Sequence, residues 1–141
     1  MKILVIDAQG GGIGRQLVTA IKQSIPEATV TAVGTNSAAT AAMLKAGADG
    51  AATGENAVAV GCRNADVIVG PIGIMVADSM LGEVTPKMAL AVAQSRAKRI
   101  LIPFSHCDTI IVGIAGYNTA KLVQNAVDEI EKIRAERVKQ S

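Results

Sequence analysis

Four glycines fall within five residues, Gly10-Gly11-Gly12-Ile13-Gly14, between Asp7-Ala8-Gln9 and Arg15-Gln16-Leu17. Inside a helix or strand each would cost about 1 kcal/mol relative to alanine. They suit a turn in which backbone takes positive φ or approaches another group closely. The apolar run before them, residues 2–6, reads as a buried strand, and Arg15-Gln16-Leu17 continue into the first turn of a helix. Amides at such a helix start carry partial positive charge, so the chemistry on offer is anion binding, and phosphate first of all. Asp7 either touches the ligand or fixes the turn by accepting backbone amides. The residues expected at this subsite are Asp7, Gln9, Gly10, Gly11, Gly12, Ile13 and Gly14. The alternative is a turn whose glycines serve only close packing of helix on strand.

The spacing narrows the ligand class. A dinucleotide fingerprint has glycines at relative positions one, three and six. Gly10 and Gly12 supply two of these, and Arg15 stands at the sixth. A second spacing, Ala8 followed by Gly12-Ile13-Gly14, resembles the glycine turn of short-chain dehydrogenases with alanine for the first glycine. At the end of the next strand an acid would favour NAD and an arginine NADP. Thr35, Asn36 and Ser37 stand there instead. They can bond a ribose or a 2′-phosphate, or cap the following helix. NAD, NADP and a mononucleotide therefore all stay open as cofactors.

Reactive residues are sparse. Tyr117 and Lys121 form a Y-x-x-x-K, with Ser105 twelve residues before the tyrosine. This resembles the serine, tyrosine and lysine constellation of short-chain dehydrogenases, which implies tyrosine as proton donor, lysine lowering its pKa and serine orienting a carbonyl. A helix-capping loop with a surface lysine explains the same residues. His106 and Cys107 are sequence neighbours that point apart in extended chain, and a single histidine makes no metal site. Glu55 and Asn56 can meet an adenine or ribose edge, or cap a helix. Asp78 and Glu83 are carboxylates in an apolar loop, facing solvent or carried on a lid.

The totals set bounds. With 141 residues the chain is expected to form one domain, residues 1–141. Half of it is hydrophobic, yet it has one Phe, one Tyr and no Trp, so the core is aliphatic. A net charge of +2 and the lack of aromatic platforms argue against nucleic acid as a partner. The most apolar stretch, residues 67–81, is broken by Pro71 and Asp78 and too short to span a bilayer. Cys62 and Cys107 have no CxxC spacing. Strand one begins at residue 2 or 3, so no signal peptide is expected, and a reducing cytoplasm is the expected compartment.

These residues need elements to hold them. Apolar periodicity predicts helices over 12–23, 38–45, 118–139 and, behind a Thr85-Pro86 start, 85–96. A brief helix spans residues 53–62. Strands are expected over 2–6, 29–33, 50–53, 65–70 and 99–103, with a sixth over 108–113. Only four residues separate the last two, which makes the sixth antiparallel. The fold expected is α/β: a Rossmann-like, doubly wound, mostly parallel sheet of order 3-2-1-4-5-6 in three αβα layers. Its crevice lies where the order reverses, which sets Gly70, Pro71, Ile72 and Gly73 opposite the first glycine turn.

Across nearly its full length, through 7–14, 34–36, 52–57, 70–73 and 81–86, the chain resembles a family of small bacterial proteins. That family is known only as a Rossmann-like domain of unknown function. The resemblance implies a bacterial, cytoplasmic setting and no reaction. The residues themselves imply a small-molecule nucleotide ligand, most of all NAD(P). A minimal oxidoreductase using Ser105, Tyr117 and Lys121, or a structural protein that dimerises through the apolar 72–81 segment, are the alternatives.

Overall fold

The computed structural model describes residues 1–103 and 109–141. Five strands, β1 (Lys2–Asp7), β2 (Thr29–Gly34), β3 (Gly50–Thr53), β4 (Val67–Pro71) and β5 (Lys98–Ile102), form one parallel sheet of order β3-β2-β1-β4-β5. The helices are α1 (Gly12–Ser24), α2 (Ser37–Lys45), α3 (Glu55–Asn64), α4 (Pro86–Gln94) and α5 (Thr119–Gln140).

β1 is the central strand, and its sequence shows why. After Lys2 every residue is buried, the pattern of a strand covered on both faces. Alternate side chains go to opposite sides. Ile3 and Val5 join Leu17, Val18 and Ile21 of α1, Met43 of α2 and Val127 and Ile130 of α5 in one core. Leu4 and Ile6 join Val58 and Cys62 of α3 and Met88 and Val92 of α4 in the other. Burial of each such side chain contributes about 1.5–3 kcal/mol. The aliphatic composition thus serves two thin, closely packed layers.

The ends are set by local chemistry. Asn36 caps α2 by accepting the Ala39 amide, and Thr85 caps α4 by accepting the Met88 amide, with Pro86 at its first position. Asn118 caps α5 through the Lys121 amide. The far end of α5 is tied back to the sheet's amino edge: Arg134 pairs with Glu27, and Arg137 lies 2.9 Å from Asp66.

The expected sixth strand needs correction. Of residues 108–113, Asp108 lies outside the described residues, and Thr109 makes only an isolated bridge before turns. Ile110 and Val112 are 85% and 92% exposed, and Gly113 turns at φ 91°. β-branched side chains favour a strand only where a face receives them, and no such face among the described residues covers Ile110 or Val112. Among the described residues, no helix is long and apolar enough to cross a membrane.

Candidate functional site

β1 and β2 run side by side to their ends, where Asp7 is in register with Gly34. Beyond that pair the chain turns twice, into α1 and into α2. The Asp7 side chain is buried, and its carboxylate accepts the Ala8 amide at 2.8 Å and the Gly14 amide at 2.7 Å. Of its two expected roles, it takes the one of fixing the turn. Burial pushes its pKa up, against the pull of the Gly14 and Ala8 amides, and the charge of Glu83 adds to the rise.

The glycine cluster divides in two. Gly11 has φ 71°, and a Cβ there would lie 2.8 Å from the Ala39 Cα. A Cβ on Gly14 would lie 2.5 Å from the Met43 sulfur and 2.8 Å from the Asp7 Cβ. Packing accounts for these two. Gly10 and Gly12 are exposed, lack positive φ, and have no described residue within 4 Å of an added Cβ. Nor do their amides bond to any described residue. Part of the helix start is therefore closed by Asp7, and the exposed rim at Gly10 and Gly12 is open. Ile13 lies between, its amide close enough to the Asp7 carboxylate to help hold it ionised.

At the neighbouring strand end a carboxylate appears that the local sequence does not supply. Glu83 Oε1 accepts from the Gln9 amide at 2.8 Å, Thr35 Oγ1 at 2.8 Å and Asn36 Nδ2 at 2.7 Å. The Gln9 amide above all, with Thr35 and Asn36, holds the Glu83 carboxyl below the usual glutamate range. Gln9 meets it with positive φ, 53°. Asn36 works twice, since its Oδ1 caps α2 while its Nδ2 also donates to the Gln9 carbonyl. Ser37 opens α2 and is exposed. Sequence reading placed Glu83 in solvent or on a lid and missed this role. The available signal was an acidic residue missing after β2 and a lone acid in an apolar, glycine-bearing loop.

The β4 turn lies beside β1, as the strand order requires, but its glycines serve packing. A Cβ on Gly70 would lie 2.3 Å from the Ile6 carbonyl oxygen. One on Gly73 would lie 3.0 Å from Met80, and Ser79 Oγ donates to the Gly73 carbonyl. Pro71 ends β4 and Ile72 opens a short 3₁₀ turn, Ile72–Met75. Residues 76–84 then fold back over this lip. Ile74 is buried in the chain's own core, leaving Val76 and Leu81 as the exposed large apolar residues of the segment proposed for dimerisation.

Glu55 accepts from Thr85 Oγ1 at 2.7 Å and so joins the start of α3 to that of α4. Tyr117 precedes the cap of α5 and is 53% exposed, while Lys121 is in the first helical turn and exposed. The tyrosine thus stands outside the helix that carries the lysine. Ser105, His106 and Cys107 lie outside the described residues. Cys62 is buried, which pushes its thiol up to about 11 and leaves it inert. A separate groove of about 570 Å³ lies between β2 and α3, away from these turns, lined by Leu4, Thr31, Val33, Ala57, Val60 and Gly61.

Residues 2–135 match the family model described as "Domain of unknown function (DUF3842)". The chain belongs to this family. No curated protein matches it in sequence. Among solved structures it is similar to a dodecameric FMN-dependent UbiX-like decarboxylase from Escherichia coli O157:H7, at 15% identity and TM-score 0.54, over 96% of this chain and 95% of that one. A nucleoside-diphosphate-sugar epimerase from Pseudomonas aeruginosa matches at 13% identity and TM-score 0.47, over 97% of this chain and 49% of that one. The first likeness extends to the whole fold of the family member, a parallel α/β sheet with helices on both faces.

Proposed function

We propose that the chain binds a phosphate-bearing nucleotide, NAD(P) first, across the carboxyl ends of β2, β1 and β4. The carrying observation is that, among the described residues, Gly10 and Gly12 answer to neither backbone conformation nor packing, and their amides bond to none of those residues. Glycine there keeps side chains away from a group that must approach the backbone. Support also comes from the position, the switch point of a doubly wound sheet, and from the fold shared with a protein that depends on FMN, itself a phosphate-bearing nucleotide.

In this reading phosphate lies over Gly10, Gly12 and the start of α1, and the ribose lies beside Gln9, Thr35 and Asn36. Ile13 and Gly14 hold the helix start, with Ser37 at the rim. Gly70, Pro71, Ile72 and Gly73 form the second lip. The setting proposed is the bacterial cytoplasm, as the family resemblance implies. The assembly proposed is a homo-oligomer with Leu81, 96% exposed, at its contact; Leu81→Asp should shift its mass by light scattering.

Thermal shift against NAD, NADP, ATP, ADP, AMP and phosphate tests the ligand. At a hundred times its dissociation constant a ligand adds about 2.7 kcal/mol, a clear rise in melting temperature. Gly12→Asp supplies the control. An acid in the first helical turn suits the helix dipole, and Cβ at position 12 is unobstructed, so the variant should fold as well as the parent. Its carboxylate would nonetheless oppose a phosphate, and the shift should vanish. No shift with any nucleotide would leave the structural reading of the fold.

A further inference from the structure

An acidic residue at the end of β2 is how a doubly wound sheet reads an unphosphorylated ribose. This chain has none in sequence, since β2 runs out into Gly34-Thr35-Asn36-Ser37. The tertiary structure delivers one from elsewhere. Glu83, in the loop between β4 and α4, reaches the Gln9, Thr35 and Asn36 donors from 74, 48 and 47 residues away. We propose that Glu83 is the ribose-reading acid of the nucleotide site and restricts it to ligands with a free 2′-hydroxyl, NAD over NADP. This inference rests on the nucleotide reading above.

The bonding pattern carries it. All three donors converge on Oε1, and Oε2 has no bond to any described residue. A carboxylate held by one oxygen has the other free to accept from a ribose hydroxyl. The same three donors are the groups that would otherwise grip a 2′-phosphate, and Glu83 has taken them. Its negative charge then meets any phosphate placed on that hydroxyl, with no cation among its bonding partners in the described residues.

The placement is built into the loop. Asp78, Met80 and Leu81 have φ of 64°, 55° and 58°, and Gly82 has φ 84°. Non-glycine residues held this way cost of order 1–3 kcal/mol each and persist where surrounding contacts over-determine them. Those contacts are present. The Asp78 amide donates to the Val84 carbonyl at 2.8 Å, the Glu83 amide to the Met80 carbonyl at 3.2 Å, and Val84 is 1% exposed. Glu83 thus stands one residue from a buried anchor and two from the Thr85 cap of α4. A side chain set so firmly needs no rearrangement to meet a ligand.

Titration calorimetry of the full chain with NAD and NADP, for the parent, Glu83→Gln and Glu83→Asp, tests the proposal. The parent should bind NAD at least about tenfold tighter than NADP, the range set by one charged hydrogen bond. Glu83→Gln should weaken NAD and narrow the preference by a similar factor, and Glu83→Asp should keep the preference for NAD at lower affinity. Melting curves establish that each variant is folded. A parent that prefers NADP, or a Glu83→Gln variant that gains affinity for NADP with NAD unchanged, would show Glu83 to be a plug in the subsite and overturn the inference while nucleotide binding stands. Binding of neither dinucleotide or of AMP to the folded parent would remove the nucleotide reading as well.

Discussion

The Ala39 Cα lies where a methyl group on Gly11 would have to go, 2.8 Å from that added carbon. The first turn of α2 therefore rests on the turn before α1, backbone against glycine. One residue further on, a Cβ on Gly12 would meet none of the described residues within 4 Å. Gly11→Ala adds a positive-φ penalty to this clash and should cost about 2–4 kcal/mol. Gly12→Ala replaces glycine at the head of a helix and should be neutral or stabilising by up to about 1 kcal/mol. Urea denaturation distinguishes them. Equal losses at the two positions would mean that both glycines are structural.

Gly70 gives a more severe case. A Cβ there would sit 2.3 Å from the Ile6 carbonyl oxygen, between the two central strands β1 and β4. Neither strand can shift without disturbing both cores. Gly70→Ala should cost about 3 kcal/mol or more and yield little soluble protein. A well-folded variant with an unchanged melting temperature would contradict the close approach.

Asp7 should make a pH-dependent contribution of unusual sign. Its pKa is raised in the fold, mainly by burial, so the folded state holds the proton more tightly than the unfolded chain. Its contribution is then most favourable below the unfolded pKa and declines as pH rises through the folded one. Asp7→Asn cannot titrate. The stability difference between Asp7→Asn and the parent should move in the variant's favour as pH rises from the ordinary aspartate range, then level off. Melting temperatures taken as a pH series read it, and a difference that moved the other way would refute the assignment.

Glu83 should behave in the opposite sense. Its pKa is lowered by the Gln9 amide, Thr35 and Asn36, so the stability it contributes is present above the unfolded glutamate pKa and lost as pH falls through the folded value. Protonation weakens the hold on three donors and should loosen residues 78–84 before the core opens. Limited proteolysis or hydrogen exchange of that loop should rise in acid for the parent and be high throughout for Glu83→Ala. Protection of the loop that did not depend on pH in the parent would show that Val84 and the backbone bonds hold it alone.

Much of the fold was legible in the chain because the signals are local. Lys2 followed by an unbroken apolar run announces a strand buried on both faces, and Thr85-Pro86 and Asn36 announce helix starts through capping chemistry that needs no distant partner. Residues 108–113 misled for the same reason. Their β-branched side chains carry a local preference, and a strand also needs a face to pack on, which only the assembled sheet provides or withholds.

The sequence by itself determined a parallel α/β layer with a glycine turn after β1, because periodicity, capping and glycine's conformational freedom act within a few residues. Only the tertiary structure decided which glycines that turn needs for packing, since Gly11 and Gly14 are constrained by Ala39 and Met43 of α2. It also brought Glu83 to Thr35 and Asn36, an encounter across 48 and 47 residues that loop geometry creates and no short-range pattern encodes.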